Sequence, residues 1–353
     1  MKAREQNGME IGIYSLADLY PDPQTGKTIS SKQRIDEIIK AAKMADEAGL
    51  DVFGIGEHHR LDYAVSAPAT VLSAISQVTK QIKLTSATTV LNTIDPVRLF
   101  EDFSTLDLLS NGRAEIIAGR GAFFESFPLF GYDPKNYDEL FEEHMELLLK
   151  INEEEVVIWN GHYRPSLRDA EISPRPVQQK IPVWIGVGGS SESAERAGRL
   201  GTGLVLAILG GDPSLYKPLV DRYHVTAAQS GHNFENLKVG VTGHVYISKT
   251  NQQAIEEYYP YHSNYWLQLN RRQGINTAFS RAEFEQMTGK ETALLVGSSQ
   301  QIIEKILSQY ELFGHQRFIA QLDIGGMPFK KVAENIERLA TEIAPVIRRE
   351  TKK

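Results

Sequence analysis

Short, continuous apolar stretches alternate with helix-patterned stretches along almost the whole of this 353-residue chain. The first apolar stretch is "MEIGIYSL" at 9–16, and residues 31–50 follow it with apolar side chains at helical spacing. Continuous apolar runs of this length are typical of strands in a parallel sheet whose two faces are covered by helices. The same rhythm continues to the end of the chain, with further strand-like runs at 51–56, 82–90, 113–119, 182–187, 203–208, 237–247 and 317–323.

Eight strand–helix units predict an α/β fold, a closed (β/α)8 TIM barrel forming a single domain over residues 1–353. A plain barrel needs about 250 residues, so roughly a hundred lie in insertions. We place these at about 152–180, which has hairpin character, and at about 249–297, both on the face formed by the carboxyl ends of the strands. The second insertion is predicted to be a long polar loop, either a lid or binding loop, or a surface excursion or dimer contact.

The composition excludes several functional classes. The net charge of −7 argues against a nucleic-acid-binding protein, which normally carries a basic face. The absence of cysteine excludes disulfides, thiolate chemistry and cysteine-ligated metal centres. The amino-terminal stretch has no signal-peptide core, and no run reaches the roughly 18 apolar residues of a membrane span. We therefore expect a cytoplasmic protein with no membrane partner.

The second strand ends in an acid, two adjacent histidines and an arginine, "EHHR" at 57–60. Active sites of (β/α)8 barrels lie at the carboxyl ends of the strands, so these side chains are candidates for chemistry. A zinc protease needs two histidines four residues apart on a helix, whereas adjacent histidines at a strand end face different ways, so no metal site is expected. One histidine is suited to proton transfer near neutral pH. The alternative is a structural network in which Glu57 holds one imidazole.

Two further strand ends carry distinctive residues. Strand 3 ends in "SATT" at 86–89, where small side chains leave room for a flat ring, or simply make a tight strand end. Strand 4 runs into "AGRGAFFESF", which presents Arg120 between two glycines. This arginine is either a countercharge for an anionic ligand or a solvated or ion-paired residue.

Strand 5 ends in "GVGGSSES" at 186–193, directly before a helix. The glycines allow close backbone approach, and the serines lie in the first helical turn, where free N–H groups and the helix dipole favour an anion such as phosphate. An ordinary helix cap explains the same pattern. A dinucleotide-binding fingerprint does not fit, because Ser191 stands where its third glycine is required.

Together these stretches resemble the bacterial luciferase-like, flavin-dependent monooxygenase family, over residues 9 to 349. The long block 82–121 is the specific part of the resemblance, whereas "EHH" or the glycine–serine turn alone is a weak match. The other matching stretches are "AGLDVFGIGEHHR", "FGYDP", "PVWIGVGGSSESAERAGRLG" and "FKKVAENIERLATEIAPVIRR".

The resemblance implies a TIM barrel that binds FMN at the carboxyl ends of its strands. His58 matches the catalytic histidine, which would act as an acid and base near the flavin. The residues that match flavin-contacting positions are Ala87 and Thr88 beneath the isoalloxazine, Arg120 at the phosphate, and Gly189, Ser190 and Ser193 in the phosphate-binding turn.

The implied reaction uses reduced FMN, delivered by a separate NAD(P)H:flavin reductase, and O₂ to oxygenate a small organic substrate. By the same resemblance we expect a homodimer and a lid at 249–297. A reactive cysteine of luciferase is replaced here by Gly119, so light emission is not expected. A second phosphate-binding arginine of the family is replaced by an acid near Glu139.

Three other functions remain open from the sequence. The first is a deazaflavin- or FMN-dependent dehydrogenase or reductase of the same fold, and the second is a flavin-binding protein without catalysis. The third, a metal-dependent hydrolase, is disfavoured by the spacing of the histidines. A group of aromatic residues either lines an apolar substrate pocket or packs the insertions: Phe123, Phe124, Phe127, Tyr258, Tyr259, Tyr261, Tyr265 and Trp266.

Overall fold

A computed structural model describes residues 8–121, 123–233 and 237–352. Its strands are β1 (Glu10–Ser15), β2 (Val52–Ile55), β3 (Lys83–Ser86), β4 (Thr89–Val90), β5 (Ala114–Gly119), β6 (Val156–Trp159), β7 (Leu167–Glu171), β8 (Val183–Val187), β9 (Gly203–Ala207), β10 (Val239–Ser248), β11 (Leu295–Ser298) and β12 (Arg317–Gln321). Its α-helices are α1 (Ser31–Glu47), α2 (Pro68–Val78), α3 (Pro96–Ser110), α4 (Ser126–Phe130), α5 (Tyr137–Glu153), α6 (Ser191–Leu200), α7 (Lys217–Gln229), α8 (Asn251–Arg272), α9 (Arg281–Met287), α10 (Ser299–Phe313), α11 (Phe329–Arg338) and α12 (Ala344–Glu350).

Eight parallel strands pair in the order β1, β2, β3, β5, β8, β9, β10 and β12. The circle closes because β12 pairs with both β10 and β1, with Arg317 opposite Gly240 on one side and Glu10 on the other. Their residues are almost all buried, as the continuous apolar runs require. The predicted (β/α)8 barrel is confirmed.

The helix boundaries follow local chemistry. In α3 the Asp95 carboxylate accepts hydrogen bonds from the backbone N–H groups of Val97 and Arg98, and Pro96 occupies the first turn. The helix ends at Asn111, which adopts a left-handed φ of 59° before Gly112. Both boundaries of this helix therefore carry residues typical of helix starts and ends.

The second insertion differs from its prediction as a polar loop. Residues 251–272 form the 22-residue helix α8, followed by the short helix α9 and by β11, which extends the sheet beside β10. Tyr258, Tyr261 and Tyr265 are buried at helical spacing and pack into the core. Polar side chains between them, and a proline, disguised this apolar face in the sequence.

The first insertion forms the predicted hairpin, β6 and β7. It leaves the chain after α5 and before β8, at the amino ends of the strands. It then runs along the outer helices, where the Glu143 carboxylate of α5 accepts the backbone N–H groups of His162, Tyr163 and Arg164. The insertion therefore branches off after a helix, and its loop reaches Asp95, the residue that caps α3, through Arg164.

The amino end of the barrel is closed by buried ion pairs. Arg317, only 1% exposed, donates to Glu10 at 2.6 Å and to Glu115 at 3.1 Å, and its guanidinium lies over the Trp184 ring. Lys83 pairs with the same two carboxylates. This cluster ties β1, β3, β5 and β12 together beneath the core.

Because of Glu10, the stability of the fold depends on pH in the acid range. Burial opposes its charge, but Arg317 and Lys83 outweigh burial and lower its pKa from 4.5 to about 2. Because the folded pKa lies below the unfolded value, Glu10 stabilises the fold above about pH 4.5, and this contribution is lost as the pH falls toward 2.

We expect the difference in free energy of unfolding between the wild type and Glu10→Gln to be largest at neutral pH and to shrink on acidification. Urea unfolding of both proteins, at a series of pH values downward from neutral, measures this difference. A difference that stays constant over the acid range would show that Glu10 keeps an ordinary pKa in the fold.

Candidate active site

One cavity of about 450 Å³ opens at the carboxyl ends of the barrel strands. Its volume lies within the range of small-molecule sites, roughly 300–1,000 Å³. Its floor carries the polar side chains of Tyr14, Thr242 and Gln321, from β1, β10 and β12. All the site residues predicted from the sequence line this cavity, namely His58, Ala87, Thr88, Arg120, Gly189, Ser190 and Ser193.

The two adjacent histidines have separate surroundings. His59 Nε2 lies 2.8 Å from Glu57 Oε1, and the other carboxylate oxygen of Glu57 accepts the backbone N–H of Val90. The imidazole of His59 also meets the Phe130 ring edge-on, with centroids 5.0 Å apart. The structural network considered for "EHH" is therefore present, but it holds His59 and leaves His58 outside it.

His58 is held in the cavity wall by aromatic packing and by one carboxylate. Its ring lies 4.0 Å from the Tyr63 ring and 5.7 Å from that of Phe123, centroid to centroid. Its Nδ1 is 3.7 Å from Glu125 Oε1, and only 11% of its side chain is exposed. Contact at Nδ1 leaves Nε2 as the nitrogen able to exchange a proton with a ligand.

Glu125 is the partner that the sequence did not identify. Burial opposes its charge, but contact with His58 and the nearby Arg60 outweigh burial and lower its pKa below the usual value. A carboxylate at this place fixes the orientation of the imidazole ring. No sequence pattern marks Glu125, since it lies in an irregular turn before α4.

The end of strand 3 is shaped by a peptide bond and by two glycines. The Ala87–Thr88 bond is cis, and it separates β3 from β4. The Thr88 side chain packs against Gly119 of β5 and Gly186 of β8, where added Cβ atoms would lie 2.9 Å from its Cβ and 2.8 Å from its Cγ2, respectively. Thr88 therefore fills the space that side chains at 119 and 186 would need.

Gly119→Ala is expected to lower the free energy of unfolding by about 1–3 kcal/mol, because the new methyl group overpacks the contact with Thr88. Urea unfolding measures this loss. In a Thr88→Ala background the same change is expected to cost less, since the Oγ1 and Cγ2 atoms that the new methyl group meets are gone and only the Cβ contact remains. Equal costs in the two backgrounds would contradict the packing account.

Arg120 lies at the mouth of the cavity among groups of α5. Its guanidinium carbon is 4.9 Å from the centre of the Tyr137 ring, and its Nη1 donates to Asp138 Oδ1. The ion-paired state that the sequence left open is thus present. Asp138 remains exposed over 60% of its side chain, so the cation is held by a carboxylate at the surface and not by a buried one.

The glycine–serine turn combines a helix cap with an open surface. Ser190 caps α6, since its Oγ accepts the backbone N–H of Ser193 at 3.2 Å, and its hydroxyl donates to Glu192. A Cβ built on Gly188 or on Gly189 meets no atom within 4 Å. The turn can therefore admit a ligand group close to its backbone, next to the amino end of a helix.

Of the eight aromatic residues considered for a substrate pocket, one lines the cavity. Phe123 lines the cavity, whereas Phe127, Tyr258, Tyr261 and Tyr265 are buried in the core. None of residues 249–297, all of which the structure describes, lines the cavity. The expectation of a lid at 249–297 is not met in this structure, because α8 packs its tyrosines inward.

Comparison with known proteins gives the family. A family model described as luciferase-like monooxygenase matches residues 9–316. The chain belongs to this family. The oxygenase component of flavin-dependent trigonelline monooxygenase from Acinetobacter baylyi is 23% identical over 360 residues, covering 96% of this chain and 95% of that protein. The predicted class of luciferase-like monooxygenase, an oxidoreductase that incorporates oxygen, is confirmed.

Two solved structures share the fold of this chain. The oxygenating constituent of 3,6-diketocamphane monooxygenase from Pseudomonas putida, in complex with FMN, has a TM-score of 0.77 and 22% identity, covering 96% of this chain and 99% of that one. An F420-dependent secondary alcohol dehydrogenase has a TM-score of 0.72 and 17% identity at the same coverages. The first of these neighbours is in complex with FMN and the second depends on F420.

None of the described helices is long and apolar enough to cross a membrane. Among the described residues, no three histidine, aspartate or glutamate side chains are grouped as a metal site requires. At one end the cavity carries polar groups suited to the anionic part of a ligand, namely Arg120, Ser190 and Ser193.

Proposed function

We propose that this luciferase-like enzyme binds reduced FMN and uses it with O₂ to oxygenate a small organic substrate. The observation that carries the proposal is that one cavity joins an anion-binding end to a proton-transfer end. Arg120, Ser190 and Ser193 line the first, and His58 with Glu125 the second. A ligand with an anionic group and a reactive ring system would engage both ends at once.

The residues fit FMN in three places. Arg120 and the amino end of α6 would hold the phosphate, through charge and backbone N–H groups. Gly188 and Gly189 would allow the ligand to approach the backbone without collision. Ala87 and Thr88, at the broken end of strand 3, would support the ring. When bound, the reduced flavin supplies the electrons that activate oxygen.

His58 would move the proton that the reaction requires. Glu125 holds Nδ1, so the exchange takes place at Nε2, on the ligand's side of the ring. The packing of Tyr63 and Phe123 against the imidazole keeps water from its faces and holds its position. His59 and Glu57 would act as support, since the Glu57 carboxylate contacts His59 and accepts the backbone N–H of Val90, which fixes the chain at the end of β4.

The relative from Acinetobacter baylyi is an oxygenase component, which supports a separate NAD(P)H:flavin reductase as the source of reduced flavin here. A homodimer located in the cytoplasm belongs to the same proposal. The F420-dependent neighbour supports one competing function, hydride transfer from a deazaflavin without oxygen.

Anaerobic titration of the purified protein with reduced FMN, reduced FAD and reduced F420 separates these functions. We expect reduced FMN to bind most tightly, because Arg120 and the α6 turn provide one compact phosphate site. Preferential binding of F420 would move the assignment to a deazaflavin dehydrogenase. Failure to bind any of the three would leave the family assignment without the proposed cofactor.

A further inference from the structure

Two arginines from different parts of the chain converge on one carboxylate oxygen beside the cavity. Arg120, after β5, donates through Nη1 to Asp138 Oδ1. Arg196, in the middle of α6, places Nη2 3.7 Å from the same oxygen. Asp138 lies in the first turn of α5 and exposes 60% of its side chain.

The Arg196 side chain is fixed by its contacts, but one of its nitrogens lacks a hydrogen-bond partner among the described residues. It is only 9% exposed, its guanidinium lies over the Phe141 ring at 5.4 Å, and its Nε donates to Glu142. Its Nη1 is buried and has no hydrogen-bond partner within the described part of the chain. A buried arginine with a spare donor is costly unless something accepts from it.

The same helix face connects Arg196 to the serine turn. Arg196 follows Ser193 by three residues, so the two side chains lie on one face of α6, and Ser193 lines the cavity. Tyr137 and Phe141, one turn apart on α5, carry the guanidiniums of Arg120 and Arg196 on their rings. The two guanidiniums thus meet at Asp138: Arg120 lines the cavity, whereas Arg196 and Asp138 line a neighbouring surface pocket.

We propose that Arg196 is the second cation of the phosphate-binding site, and that the Asp138 carboxylate competes with the ligand's phosphate for both arginines. The inference rests on the proposed binding of reduced FMN and names a residue that gives that site its preference for a phosphorylated flavin. A phosphate oxygen has the charge and accepting geometry of Asp138 Oδ1 and further oxygens that the spare Nη1 can bind.

The competition follows from how weakly Asp138 is held in place. An exposed carboxylate loses little solvation on turning away to water, and the phosphate, with its greater charge, interacts more strongly with two guanidiniums than a carboxylate does. Glu142 stays paired with Arg196 Nε and keeps the side chain in position during the exchange. Arg196 is accordingly a binding residue that contacts the phosphate, with no part in the chemistry at the ring.

The test compares reduced FMN with reduced riboflavin, which lacks the phosphate, by anaerobic calorimetric titration of the full chain. Arg196→Gln is expected to weaken the binding of reduced FMN by roughly tenfold or more, the loss of a hydrogen bond to a charged group, and to leave riboflavin binding unchanged. Arg196→Lys is expected to recover part of the loss. Asp138→Asn is expected to tighten the binding of reduced FMN and to leave the binding of riboflavin unchanged.

Arg199→Gln is the matched control. Arg199 lies one turn further along α6 and pairs with the same Glu142, but its other recorded ion pair is to Glu146 and not to Asp138. Two results would overturn the inference and leave the proposed function standing. The first is that R196Q and R199Q weaken the binding of reduced FMN equally. The second is that R196Q loses as much affinity for reduced riboflavin as for reduced FMN. If R196Q does not fold, D138N decides: unchanged or weaker FMN binding overturns the inference. Failure of the wild type to bind reduced FMN would overturn both.

Discussion

His58→Ala is expected to lower the rate of substrate oxygenation by roughly 10²–10⁴-fold, the usual contribution of a positioned acid or base. The binding of reduced FMN is expected to change little, because the anionic end of the cavity lies on other strands. The loss arises because Glu125 then has no imidazole to hold, and the ligand has no group at Nε2 with which to exchange a proton. Single-turnover kinetics with preformed protein–flavin complex measures the rate, and titration measures the binding.

His58→Asn separates proton transfer from packing. The asparagine amide can keep a contact with Glu125 but does not titrate, so this variant is expected to lose activity almost as strongly as the alanine variant. His59→Ala is the matched control, because it removes the same kind of side chain from the neighbouring position, where the imidazole contacts Glu57. A variant of His58 that turns over at the wild-type rate would remove this residue from the mechanism.

Arg317→Ala is expected to lower the free energy of unfolding by about 3–5 kcal/mol, as breaking a buried ion pair from one side does. The substitution leaves the carboxylates of Glu10 and Glu115 facing each other at the closed end of the barrel with only Lys83 to compensate them. It also removes the guanidinium from the Trp184 ring. Urea unfolding at neutral pH measures the loss, when both proteins are analysed with the same dependence of the free energy of unfolding on urea concentration.

Arg338→Ala provides the control for this stability effect. Arg338 pairs with Glu342 one helical turn away, and both side chains are partly exposed, so its removal is expected to cost about 1 kcal/mol or less. A cost for R317A as small as that for R338A would mean that the buried cluster contributes nothing beyond an ordinary surface pair.

The barrel could be predicted from the sequence because its strands are buried on both faces. Such strands leave continuous apolar runs like "AEIIAG", now β5, and helix ends leave caps such as Asp95 and Asn111. The second insertion could not be predicted, because α8 places its buried tyrosines among polar side chains. Tyrosine in such a setting serves equally well in a polar loop.

The candidate site could be located only in part. Residues that follow barrel strands directly, such as His58 and Arg120, are placed by the fold itself at the carboxyl ends. Glu125 and Arg196 reach the site through an irregular turn and through a helix face, so their positions depend on tertiary packing. The separation of the two histidines, His59 toward Glu57 and His58 toward Glu125, likewise required side-chain geometry.

The most direct test of the account is the reaction of the preformed complex with oxygen. The protein loaded anaerobically with reduced FMN is mixed with O₂ in a stopped-flow spectrometer, and the flavin absorbance is followed. We expect a transient spectrum, distinct from both reduced and oxidised flavin, whose decay depends on His58. Direct conversion to oxidised flavin with no transient, at the same rate in the wild type and in His58→Ala, would contradict the proposed monooxygenase function.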